Sequence, residues 1–422
     1  MNAWQTAELV ARDCYGRLLA YLAAHSPDWG TVEDALGDAL LRALETWPEK
    51  GIPQSPEAWL LTVARRRLID GSRRSQVQSK SARLLYELGE QSQQAAADPT
   101  FPDERLKLLF VCAHPAIDPM VRTPLMLQTV LGLKAAHIAS AFLVSPATMG
   151  QRLVRAKHKI RDAGIPFQVP SAKELPERLS YVLQAIYAAY NSGWQEATGT
   201  DRRLQTLAPE AIRLARIVVQ LLPEEPEARG LLALMLYCQS RYQSRSQPHY
   251  VPLSEQDVTL WDPALIAEAE AQLRQAATYG IPGRFQLEAA IQSAHAQRRC
   301  TGQTAWQAIA LLYEGLIQIA PTLGARVSQA AAIAEAEGAE TGLALLERIP
   351  LPEIQGYQPY WAVRAHLLAQ LGHPIAAQEA YARAIGLSES ETVRQFLLNR
   401  CSSLEQATHP PEPSASSTVM VI

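Results

Sequence analysis

The chain has 422 residues, of which 48% are apolar and 19% charged. That is long enough for two or three domains and apolar enough to bury real cores, which excludes a chain disordered throughout. The formal net charge of −3, from 39 basic and 42 acidic side chains, excludes a uniformly basic nucleic-acid coat but not local basic patches. Five cysteines (Cys14, Cys112, Cys238, Cys300 and Cys401) lie far apart with no CxxC pair. Such a set reads as reduced thiols of a cytoplasmic protein, not as a disulfide frame or a zinc site. The N-terminal MNAWQTAELVARD lacks a basic stretch followed by an apolar one, so no secretion signal is expected. The longest apolar run, Leu231 to Cys238, is too short to cross a bilayer, and no membrane partner is expected.

Helical periodicity dominates, with prolines between the periodic segments, and the predicted fold class is all-α. Thr31 can N-cap a helix reading VEDALGDALLRALETW, whose Leu36, Leu40 and Leu44 face a core. Asp34, Asp38, Arg42 and Glu45 share its polar face. A proline-rich break spans Trp47–Pro56. The next helix, Glu57–Arg74, is anchored by Trp59, Leu60, Val63 and Leu68, and Arg65, Arg66, Arg67, Arg73 and Arg74 emerge from its latter half. Ser75–Pro102 reads as a linker with one helix around Ala82–Leu88.

Lys134–Phe142 is a short helix, and Leu143–Ser145 a tight turn. Ser145 caps a second helix that has Pro146 at its first position. That helix turns Met149, Leu153 and Ile160 inward. It shows Thr148, Gln151, Arg152, Arg155, Lys157 and Lys159 outward. This is a helix-turn-helix pattern: the early residues of the second helix can enter a major groove while its later cations grip phosphates. Residues 65–80 and 151–161 each carry a net charge of +5 on an otherwise acidic chain, as phosphate-contacting elements do. Solvated helix faces would carry the same charge.

Together, VEDALGDALLRALETWP…SPEAWLLTVARRRLIDGSRR and RTPLMLQTVLGLKAAHIASAFLVSPATMGQRLVRAKHKIR resemble regions two and four of bacterial extracytoplasmic-function sigma factors. The resemblance implies core RNA polymerase (the β′ clamp helices and the β flap) and promoter DNA as partners. It places Asp34, Asp38, Leu40 and Leu41 at the polymerase-binding helix. It places Arg65, Arg66, Arg67, Arg73 and Arg74 around a melted minus-ten element, and the helix-turn-helix on the minus-thirty-five element. The Trp47–Pro56 loop is where that family captures a flipped base. Trp59 is the aromatic ring near its end and serves equally well as a core anchor. Gly37 stands where the family often has Gln or Glu.

Beyond residue 170, Pro374–Leu387 carries Ala377, Tyr381 and Ala384 at the small-large-small spacing of a tetratricopeptide (TPR) helix pair. Two weaker pairs precede it, one of them with Ala308, Leu312 and Gly315 at the same spacing. Further helices are expected at 175–191, 207–222, 226–240 and 263–279. This half resembles the helical extension of one sigma-factor subgroup and implies a regulatory TPR-like domain, with a protein partner possible. The expected layout is region two over 1–75, linker 76–102, region four over 103–168, TPR-like domain 170–405 and a flexible tail 406–422. A helix-turn-helix regulator whose repeats sense a ligand or protein is the alternative reading. No HExxH, GxxxxGK[ST] or GxSxG motif is present, and Cys112 and His114 read as structural, so neither catalysis nor a cofactor or metal is expected.

Overall fold

A computed structural model of the protein describes residues 3–26, 29–74, 103–142, 144–195, 207–245 and 247–408. These residues are helices and connecting turns, with no strand among them. No helix of the described residues is long and apolar enough to cross a membrane. The expected linker helix around Ala82–Leu88 and the tail beyond residue 408 lie outside the described residues. The chain forms two compact units, the first closing at Pro223 and the second opening at Glu224.

The first unit begins with α1 (Ala3–Ala24), α2 (Trp29–Lys50) and α3 (Pro56–Arg74). Their shared core holds Leu18, Leu22, Val32, Leu36, Ala39, Leu60, Val63 and Ala64. Fully burying each large aliphatic side chain stabilises the unit by ~1.5–3 kcal/mol. Two local expectations fail. Thr31 does not cap α2, because the helix already starts at Trp29. Nor does α2 stop at Trp47. It carries Pro48 in its last turn and closes where Gly51 takes φ +82° and returns its N–H to the Trp47 carbonyl. Burial of Trp47 against the core outweighs the proline's bias against helix.

Five elements follow: α4 (Arg105–Cys112), α5 (Pro119–Leu131), α6 (Ala135–Ala141), α7 (Pro146–Asp162) and α8 (Leu175–Gln195). The first unit ends with α9 (Leu207–Leu221). Asp118 caps α5 by accepting the Met120 N–H, with Pro119 in the first turn. Helix α1 lies against α5 at backbone contact distance: a Cβ on Gly16 would sit 1.9 Å from the Val130 carbonyl oxygen. At the end of α5, Gly132 takes φ +69° beside the Tyr15 ring, a conformation and a space that admit no side chain. The unit runs past residue 168, where the sequence suggested a boundary, because α8 docks on α4 and α5. Arg178 donates to the Phe110 carbonyl at 2.9 Å and Thr123 to the Ala185 carbonyl at 2.8 Å. The helix expected over 175–191 runs further, since α8 stays helical through Gln195.

The second unit is built around α10 (Pro226–Ser240), whose Leu231–Tyr237 run is wholly buried between α11 (Pro263–Ala277) and α12 (Arg284–Ala296). The Glu227 carboxylate takes the Phe285 and Gln286 N–H groups at the start of α12. Consecutive helices follow: α13 (Trp306–Ile319), α14 (Leu323–Glu337), α15 (Ala339–Leu346), α16 (Gln358–Gln370), α17 (Pro374–Gly386) and α18 (Glu391–Thr408). Ala377, Tyr381 and Ala384 are buried where α17 meets α16. On α13 the buried residues are Ile309 and Leu316, while Ala308 is exposed, so its core face lies one position on from the spacing read in the sequence.

Two measurements check this packing. Gly16→Ala should cost about 1–3 kcal/mol in chemical unfolding, because the helices must separate. Gly37→Ala, with open space around it in α2, should be neutral or stabilising by up to ~1 kcal/mol. In the second unit, burial and the Arg241 and Arg298 charges push His295 from 6.5 down to about 4. The stability that the neutral ring contributes is therefore intact above about 6.5 and is lost as pH falls toward 4. Thermal unfolding should weaken over that window, and His295→Gln should flatten the dependence.

Candidate nucleic-acid interface

The exposed face of α2 presents Asp34 and Asp38 with Leu41, which is 61% exposed. Leu40, read with them in the sequence, turns half inward onto the core. The arginines of α3 divide. Arg66 and Arg67 are exposed, and Arg67 meets Asp38 across α2 at 3.1 Å, a solvated pair of small energetic value. Arg65 is a correction to the expected cationic face. It is buried on the side of α3 that carries Leu61, donates to the Tyr21 hydroxyl at 2.7 Å and stacks over that ring. Trp59 lies edge-on to Trp47 at 5.6 Å and so serves as a core anchor. Arg73 and Arg74 close α3, and their side chains lie outside the described residues.

Ser145 caps α7 as its sequence position suggests. Its Oγ accepts the Thr148 N–H at 3.1 Å and also lies 2.8 Å from the Thr148 hydroxyl. Met149, Leu153, Ala156 and Ile160 seat α7 on its buried side. Thr148, Gln151, Arg152, Arg155 and Lys159 stand on its exposed side. Arg152, Arg155 and Lys159 border an open recess of about 510 Å³ whose other wall is the start of α5 at Asp118 and Met120. These three cations make no ion pair among the described residues, whereas Asp118 is engaged as a cap. The recess is thus a concentrated positive surface of the kind that attracts phosphate.

Lys157 departs from the expected outward set. Its ammonium meets both carboxylate oxygens of Glu33 at 2.6 Å, and both side chains are largely buried. The pair ties α7 to the N-terminal part of α2, one turn in from Trp29. Trp29 and Phe167 meet edge-on beside it at 6.2 Å. Lys157 stands four residues from Leu153 and three from Ile160, so its inward side of the helix was readable. Its partner, 124 positions away, was not. Elsewhere, Cys112 faces the Thr129 hydroxyl at 3.4 Å, and burial pushes its thiol up to about 12. No group of three metal-binding side chains occurs among the described residues.

Comparison with known proteins gives these surfaces their setting. Residues 10–77, covering most of α1 to α3, match the sigma-70 region 2 family. Residues 178–277 match a family of unknown function, DUF6596, and that match crosses the border between the two units. An uncharacterized protein of Rhizobium meliloti (strain 1021) is 38% identical over 373 residues, covering 86% of this chain and 88% of the relative. A helical region-two unit at the head of a longer helical chain defines a sigma-type factor. The chain belongs to the sigma-70 family, with region 2 at its head and a DUF6596 domain beyond it, and region 2 supports a sigma-factor-like role in transcription initiation.

The division among the arginines is open to measurement. Arg65→Ala should lower folding stability by about 1–3 kcal/mol, since it removes a buried hydrogen bond to the Tyr21 hydroxyl and empties a buried site. Arg66→Ala should leave the unfolding midpoint unchanged.

Proposed function

We propose that the chain binds core RNA polymerase through the Asp34, Asp38 and Leu41 face of α2 and delivers two DNA-contacting helices to one promoter. In this reading Arg66 and Arg67 meet phosphates around the melted minus-ten element. The outer side of α7 enters the minus-thirty-five element as a helix-turn-helix recognition helix, with Thr148 and Gln151 toward the groove and Arg152, Arg155 and Lys159 on the backbone. The observation that carries it is the open cationic recess on α7, in the same compact unit as the region-two match.

Lys157 is held by Glu33 and becomes available to phosphate only when α7 leaves α2. The TPR-like pairs of the second unit would act as a built-in regulatory domain, taking the place of a separate regulator. Their buried small residues on α17 and ordered succession of helices support that assignment.

Core polymerase supplemented with the chain should start run-off transcription at a responsive promoter. Charge reversal at Arg66 and Arg67 should abolish initiation while polymerase co-elution persists. Neutralising Arg152, Arg155 or Lys159 singly should weaken DNA binding at all sequences and reduce the salt slope by about one each. Lys157→Ala should change that slope less than any of the three. Failure of the wild-type chain to support initiation with core enzyme would reject the reading.

A further inference from the structure

The second unit contains a cavity that the proposed initiation role does not use. It is a half-open recess of about 380 Å³ between α13, α14, α16 and α18, bordered by residues 250–255. That volume suits a small organic molecule. Five aromatic rings line it: Tyr250, Trp306, Tyr313, Tyr381 and Phe396. That border is latched to α18, since Tyr250 packs edge-on to Phe396 at 5.2 Å and Glu255 pairs with Arg400. The half-open recess is therefore framed by tertiary contacts.

Its charges are unevenly placed. Arg400 is matched by Glu255 and lies over the Phe396 ring, 5.2 Å from its centre. Glu335, on the α14 wall, makes no ion pair among the described residues. The two imidazoles on the walls, His295 and His366, are held below their ordinary pKa chiefly by burial, and for His366 the Glu335 carboxylate opposes that shift. Behind His295, Arg241 and Arg298 are fixed by side-chain and backbone acceptors and stack on Trp261. Among the lining residues Glu255 and Glu335 are acidic and Arg400 is basic, so with Arg400 matched by Glu255 the lining keeps one carboxylate, Glu335, outside any ion pair.

We propose that this cavity binds a small organic monocation, an ammonium on an aromatic or bulky apolar body, with its charged end at Glu335 and its body between Trp306 and Tyr313. The aromatic faces attract the cation and the apolar body fills the walls. A neutral ligand of the same shape would gain no attraction from Glu335, and an anion would meet repulsion.

Calorimetric titration of the full chain with 2-phenylethylammonium, 2-phenylethanol and 3-phenylpropionate tests the assignment. The ammonium should saturate one site at least about tenfold more tightly than either of the other two, a difference of about 1.4 kcal/mol. Glu335→Gln, at an exposed position, should erase that preference and leave the melting temperature unchanged. Equal or tighter binding of the alcohol or the carboxylate, no saturable heat with the ammonium, or a preference that survives Glu335→Gln would each overturn it. None of these readouts involves DNA or polymerase, so the initiation role stands or falls separately.

Discussion

The backbone contact of α1 with α5 at Gly16 is the constraint from which the first unit's arrangement follows. Only a residue without a side chain lets the Val130 carbonyl approach that closely. The region-two helices and the α4 to α7 segment consequently share one compact unit instead of standing apart on a tether. With α1 seated on α5, the N-terminal part of α2 comes within ion-pair reach of α7, and Glu33 can hold Lys157. A buried pair of this kind adds little net stability, because desolvation offsets most of its attraction. Its consequence is positional: it orients α7 and leaves Arg152, Arg155 and Lys159 facing outward as the unmatched cations.

That division of charge gives the basic helices two kinds of work. Arg65 and Lys157 are internal fixtures, one stacked on Tyr21 and the other clasped to Glu33. Arg66, Arg67, Arg152, Arg155 and Lys159 remain at the surface. A chain with a net charge of −3 can therefore present strongly positive patches, because its acids are spent elsewhere.

Much of this was legible in the sequence, wherever the signal was local. The Ser145 cap, the bounds of α7 and the buried small residues of α17 all follow from spacing and cap chemistry. What was not legible depended on distant partners. Pro48 marks a helix end by itself, yet the burial of Trp47 carries α2 past it. Arg65 continues the turn-by-turn stripe of Leu61 and Leu68, so its inward placement could be read, but the Tyr21 hydroxyl that satisfies it could not. The unit's end at Pro223 rests on the docking of α8 on α4 and α5, with hydrogen bonds spanning 62 and 68 positions. Charge counting likewise reported +5 for residues 151–161 without showing that Lys157 was already taken.

The most direct test of the central claim is hydroxyl-radical footprinting of promoter DNA with core polymerase and this chain. The account predicts two separated protected patches that appear only with polymerase present, the upstream one disappearing when Arg152, Arg155 and Lys159 are neutralised together. A single protected site occupied equally well by the chain alone would contradict it and identify an operator-binding regulator instead.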